Sequence, residues 1–155
     1  MLGSPTDPTP RHLEFLADLT GHEDPRPVLR RMAELSVAVM EAKLGEVVAL
    51  WMRARSLNPE SLPLPFDPTQ HPTPPERILR QIADYFRRAS HAGTLNVSDP
   101  ETAAMAFGAS LHGYVFIHRV LRVSEPPIPL DRYLDTLLDV WCSQPPGRPQ
   151  NPESA

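Results

Sequence analysis

The sequence predicts an all-α fold, one helical bundle, on three observations. Its 20 prolines fall in clusters, at positions 5–10, 25–27, 59–75, 126–129 and 145–152 with Pro100 alone, so they punctuate the chain rather than pervade it. The proline-free windows 28–58, 76–99, 101–125 and 130–144 each repeat apolar residues at about the 3.6 spacing of an α-helix. A length of 155 residues with 41% hydrophobic content supports one real core and falls short of two comfortable domains. The expected organisation is a helical domain over 11–143, with residues 1–10 and 144–155 as disordered flanks.

A short helix near Arg11 to Leu19 would bury Phe15, Leu16 and Leu19. The next window, Arg26 to Leu57, would span about 48 Å as one helix. Gly45 in its middle disfavours helix by about 1 kcal/mol relative to alanine, so an unbroken helix and a break there are equally compatible with the sequence. The prolines of Asn58 to Pro72 forbid regular helix and leave Leu62, Leu64 and Phe66 free to tuck against the core. Thr73-Pro74-Pro75-Glu76 reads as a capping box with proline at the first helical position. The helix it starts has Ile78, Ile82, Tyr85, Phe86 and Ala89 as its core stripe and Gly93 at its end.

Ser98-Asp99-Pro100-Glu101 repeats the start signal, with Ser98 and Asp99 as competing caps. The helix that follows is apolar around nearly its whole circumference. Ala104, Phe107, Leu111, Val115 and His118 form one stripe, and Met105, Ala109, His112 and Phe116 form a second. A helix of this kind needs two covers, one from its own core and another from a second protomer or a ligand. The last helix opens near Pro129 and buries Leu130, Leu134, Leu137, Leu138 and Trp141, with Asp131, Arg132, Asp135 and Asp139 facing water.

Composition removes several classes of function. A net charge of −4 argues against direct nucleic-acid binding, because neutralising phosphates requires clustered Lys and Arg. The single cysteine, Cys142, excludes an internal disulfide framework and fits a reducing cytoplasm. No stretch has the length and apolarity of a membrane span, and residues 1–10 lack the pattern of a secretory signal, so no membrane partner is expected. The six histidines include no pair four residues apart and no HExxH, so neither a metal nor a cofactor is expected. Without a phosphate loop, a GxSxG elbow or a Cys/His nucleophile arrangement, the chain reads as no enzyme. Arg53, Arg55, Arg87 and Arg88 read as surface charge near helix ends.

The run from Arg87 to Leu121, followed by Pro126 to Trp141, resembles the C-terminal half of tetracycline-repressor (TetR) family regulators. The likeness lies in the order of parts: a glycine turn at Gly93, a D-P-E helix start at Asp99 to Glu101, a helix rich in small residues with Gly108 and Gly113, and a final amphipathic helix from Leu130 to Trp141. The resemblance implies a transcriptional regulator's effector-binding and dimerisation domain, in which the last two helices of each protomer form a four-helix bundle about a two-fold axis. It also implies a cavity for a small apolar effector among the central helices. Only ten residues precede Arg11, so the expectation is of such a domain without its DNA-reading helix-turn-helix.

On that basis Ala104, Gly108, Leu111, Val115, Leu134, Leu138 and Trp141 are the expected dimer interface. Met32, Met40, Trp51, Tyr85, Phe86, Met105, His112 and Phe116 are the expected ligand-binding residues, methionine adapting to apolar shapes and His112 offering a polar contact. The expected partners are a second copy of the chain and a small apolar effector. The alternative is a helical protein–protein adaptor that docks a different protein and has no small-molecule pocket.

Overall fold

Asp24 starts the longest helix by accepting the backbone N–H of Arg26 at 3.0 Å, and Pro25 and Pro27 occupy the first turn, where a missing N–H costs nothing. The computed structural model describes residues 11–57, 67, 69, 71–122 and 128–142. Leu62, Leu64 and Phe66, and the flanks 1–10 and 144–155, lie outside the described residues. The elements in order are a 3₁₀ helix Arg11–Asp18, then α1 Pro25–Leu57, α2 Pro74–His91, α3 Pro100–Val115 and α4 Leu130–Cys142. α3 runs directly into a π-helical segment, Phe116–Leu121.

α1 is unbroken over 33 residues, about 50 Å long. Of the two options at Gly45 the continuous helix holds, and a Cβ built there meets nothing within 4 Å. The buried residues of α1, Leu29, Met32, Ala33, Ser36 and Val37, all lie in its N-terminal half. The predicted capping box of α2 is present, with Thr73 N–H donating to Glu76 Oε2 at 2.6 Å and Glu76 N–H to Thr73 Oγ1 at 3.4 Å. Asp99, not Ser98, caps α3, accepting Thr102 N–H at 3.1 Å.

The core gathers Leu13 and Leu16 of the 3₁₀ helix, the apolar stripe of α1, Ile82, Tyr85, Phe86 and Ala89 of α2, Phe107, Leu111 and Val115 of α3, and Leu134 and Leu138 of α4. Its centre is aromatic. The Phe86 ring stacks on Trp141 at 5.5 Å between centroids and meets Phe107 edge-on at 6.0 Å. Such ring pairs add about 0.5–1.5 kcal/mol beyond the area they bury.

Two sets of charges described above as solvated also join elements, the aspartates of α4 remaining exposed as expected. Arg26 pairs with Asp139 at 2.7 Å and Asp135 at 3.6 Å, and Arg30 pairs with Asp135 and, at 3.6 Å, with Asp131. Two arginines four residues apart on α1 thus face three aspartates four residues apart on α4. Solvent screens these exposed pairs, so the ladder sets register more than stability. Arg87 bridges α2 to Glu101 of α3, and Arg88 Nη2 reaches the Leu16 carbonyl of the 3₁₀ helix at 2.6 Å. Neither arginine is mere surface charge.

The loop between the 3₁₀ helix and α1 is fastened to the end of α2. Gly21 has φ +95°, and a Cβ there would lie 2.5–2.7 Å from the backbone of Arg88 and Ala89. Its carbonyl accepts Thr94 Oγ1–H at 2.6 Å. Glu23 closes the loop by accepting N–H from Thr20 at 2.9 Å and from Gly21 at 2.8 Å. Those backbone hydrogen bonds favour the ionised carboxylate and lower its pKa to about 2. A depressed folded-state pKa stabilises the fold fully above the unfolded value of about 4.5, and the contribution fades as pH falls toward 2. Acid titration by circular dichroism is therefore expected to show a shallower loss of stability in Glu23→Gln than in wild type over that window. Parallel curves would contradict the role given to this carboxylate.

Candidate functional site

α3 has two sides of different make-up. Phe107, Leu111 and Val115, with Ala104 and Gly108, face inward and are buried. On the opposite side Thr102, Met105, Ala106, Ala109 and Phe116 are exposed, with Gly113 half-exposed among them. Met105 retains 61% of its surface and Phe116 43%. The apolar strip continues through Ile117, Val120 and Leu121 of the π segment, and on α4 Val140 is 68% exposed.

Gly113 is informative because the protomer itself does not require it. A Cβ at this position meets nothing within 4 Å, yet glycine inside a helix is less stable than alanine by about 1 kcal/mol. With Ala106 and Ala109 it leaves a flat strip on which another backbone can approach closely. Gly108 is the opposite case, since its Cβ would touch Leu79 Cδ2 at 3.4 Å, so it serves the packing of α2 on α3.

The residues expected at the dimer interface pack within the protomer. Ala104, Leu134 and Leu138 are 0% exposed, Leu111 1% and Val115 4%, all within the protomer's own core. Gly108 is buried against α2, and Trp141 lies on Phe86 and Phe107. Of these residues Trp141 alone is half-buried and keeps some surface at the end of α4. The surface available on α3 is the second stripe.

The expected ligand-binding residues divide among three places. Met32, Tyr85 and Phe86 are enclosed in the core, with Met40 packed at its edge. Trp51, 37% exposed, sits 19 residues further along α1 than Met32, about 28 Å along the axis. Met105, His112 and Phe116 stand on the outer side of α3. The His112 Nδ1–H donates to the Gly108 carbonyl at 2.9 Å, which leaves Nε2 as its outward atom. The described residues do form two open surface clefts. One of about 320 Å³ is lined by Thr20, His22, Arg87, Arg88, His91 and Ala92, and one of about 330 Å³ by Arg87, Ser90, His91, Val97, Ser98 and Pro100. Neither coincides with the expected set.

Tyr85 has chemistry that its place in a hydrophobic stripe did not announce. The side chain is 0% exposed and its hydroxyl has no hydrogen-bond partner. Burial pushes the phenol well above its usual range, helped by the charges of Glu23 and Asp24 and opposed by Arg88. Around the π segment the polar groups are instead satisfied. Tyr114 donates to the Ile128 carbonyl at 2.9 Å and Tyr133 to the Ser110 carbonyl at 2.7 Å. The Tyr114 ring lies 4.7 Å from that of Tyr133 and 4.6 Å from that of His118. These contacts hold α4 across α3 while leaving its outer strip uncovered.

Among the described residues no group of His, Cys, Asp or Glu is arranged to hold a metal ion, and no helix is long and apolar enough to cross a membrane. No curated protein and no solved structure shows significant similarity to the chain. Residues 72–139, which run from the start of α2 almost to the end of α4, match the family described as AefR-like transcriptional repressor, C-terminal domain. The helical order and caps of α2 to α4 agree with that match, which supports a TetR-family C-terminal domain over these helices.

Proposed function

We propose that the chain is the effector-binding and dimerisation domain of a TetR-like transcriptional regulator, acting in the cytoplasm and without catalysis of its own. The observation that carries the reading is the small-residue strip Ala106, Ala109 and Gly113 on the outer side of α3, with Met105 and Phe116 exposed on the same helix and its continuation. Pairing two such strips about a two-fold axis sets α3 and α4 against their copies. The contact is self-complementary because the small residues of one strip admit the bordering side chains of the other. Val140 and the outer side of α4 extend the contact beyond a single helix pair. The helical domain over 11–143 is the unit that pairs, and a helix-turn-helix belongs to the intact regulator rather than to these helices.

The effector part of the reading rests on the adaptable apolar side chains of the core, Met32, Met40 and Phe86, together with the buried Tyr85 hydroxyl. A ligand that binds one spacing of the two protomers better than another shifts their population by its difference in affinity. A panel of uncharged apolar compounds is therefore expected to contain members that raise the melting temperature and quench tryptophan fluorescence saturably. A panel without effect, with a stable complex to a different protein, would favour a pocketless adaptor in its place.

A further inference from the structure

Towards the C-terminal end of α2, two neighbouring buried hydrogen-bond donors have no acceptor. One is the Tyr85 hydroxyl and the other is Arg88 Nε, one helical turn further on. Arg88 spends Nη2 on the Leu16 carbonyl at 2.6 Å, which fixes the guanidinium and leaves Nε facing inward. The electrostatic neighbours of the Tyr85 hydroxyl are Arg88 itself, Glu23 and Asp24 ahead of α1, and Cys142 at the end of α4. Gly21 of that loop meets the backbone of Arg88, and Trp141 of α4 stacks on Phe86, so the buried hydroxyl belongs to the part of α2 on which both pack. An unmet buried donor is costly, and two within one helical turn point to a shared acceptor.

The cover over this corner is slight. Trp141 and Cys142 form the final turn of α4 and are only half-buried, and that end is tied to α1 by the exposed Arg26 to Asp139 pair. Helix ends of this kind open locally at low cost. Beneath Trp141 the Phe86 ring offers its face and the Phe107 ring stands perpendicular to it, a corner that already holds one flat ring. Glu23 and Asp24 set a negative field nearby, which disfavours an anionic guest despite Arg88.

We propose that Tyr85 and Arg88 anchor the oxygen of an uncharged aromatic carbonyl compound, its rings lying against Phe86 and Phe107 beneath the displaced last turn of α4. This rests on the effector reading above and names both the chemical class of the effector and its polar contact. The Tyr85 hydroxyl supplies the directional hydrogen bond, and Arg88 Nε the second donor to the same oxygen. Phe86 and Phe107 recognise shape alone. An aromatic hydrocarbon of the same outline therefore enters without the anchor and binds more weakly.

The test uses the naphthyl ketone 6-propionyl-2-dimethylaminonaphthalene, whose emission reports its surroundings, beside 2-dimethylaminonaphthalene, which lacks the carbonyl. Wild type is expected to bind the ketone saturably and about tenfold more tightly than its carbonyl-free counterpart. Tyr85→Phe, which keeps the ring, should lose that preference while its melting temperature stays level or rises, because an unmet hydroxyl has been removed. Equal binding of the two probes by wild type, or a preference retained in Tyr85→Phe, overturns the anchor. So does a lack of saturable binding to the ketone. If other apolar compounds stabilise wild type and Tyr85→Phe alike, the effector reading stands and this anchor falls. If no compound acts on either, both fall while the pairing of α3 is untouched.

Discussion

Gly113→Arg is expected to leave the protomer folded and to abolish its pairing. The position is half-exposed on α3 and the new Cβ meets nothing within 4 Å. Replacing glycine inside a helix gains up to about 1 kcal/mol of helix stability. In the paired state, however, the same arginine would enter the closest approach of two apolar strips. A bulky charge buried there without a partner costs several kcal/mol, on the order of a hundredfold or more in the dimer dissociation constant. The expected variant is a monomer with a full helical circular dichroism spectrum and an unchanged or higher melting temperature. A variant that pairs as tightly as wild type would move the interface off this strip. Gly108→Arg makes a poor substitute, because the contact with Leu79 turns it into a defect of the fold.

Gly21→Ala is expected to be the most damaging small substitution in the described chain. Its φ of +95° lies where side chains are rarely accommodated, and its Cβ would lie 2.5–2.7 Å from backbone atoms of Arg88 and Ala89. Backbone on both sides of the contact prevents relief by a rotamer change. Strain of this kind with a steric clash costs about 3 kcal/mol or more, which for a domain of this size lowers the melting temperature by roughly 6–12 °C. Release of the loop should also free the Thr94 hydroxyl from the Gly21 carbonyl and loosen the 3₁₀ helix that Arg88 holds. Thermal denaturation measures the first effect and amide exchange over residues 11–24 the second. A melting temperature within a degree or two of wild type would contradict the close approach.

Helix boundaries were the most legible part of this fold because capping is local. Thr73 with Glu76, and Asp99 with Pro100, announce their helices through residues at most three apart. The inward stripes of α2 and α4 were equally readable, since each has one apolar side. α3 was not, and the reason is physical: with both sides apolar, periodicity gives the number of stripes but not which one the protomer keeps. The distinction lies in size, with Phe107, Leu111 and Val115 filling the interior while Ala106, Ala109 and Gly113 form the outer strip.

Long-range features were hidden for a related reason. Nothing beside Gly21 in the sequence reveals that it meets the backbone of Arg88, 67 positions away. The partners of Asp131, Asp135 and Asp139 lie about a hundred residues upstream, although their four-residue steps match those of Arg26 and Arg30 and offered a signal. The π segment Phe116–Leu121 reads as ordinary apolar helix, and with it the expected place of His118 on the buried stripe was lost. The unpartnered Tyr85 hydroxyl could not be foreseen at all, because its stripe predicts only that the ring is buried.

The central claim is that a second copy covers the outer strip of α3. Sedimentation equilibrium of the wild-type chain from micromolar to millimolar concentration tests it most directly. The account predicts a mass of twice the 17.3 kDa chain, reverting to a single chain in Gly113→Arg. A wild-type chain that stays at the single mass throughout that range, with α3 fully helical, would contradict it.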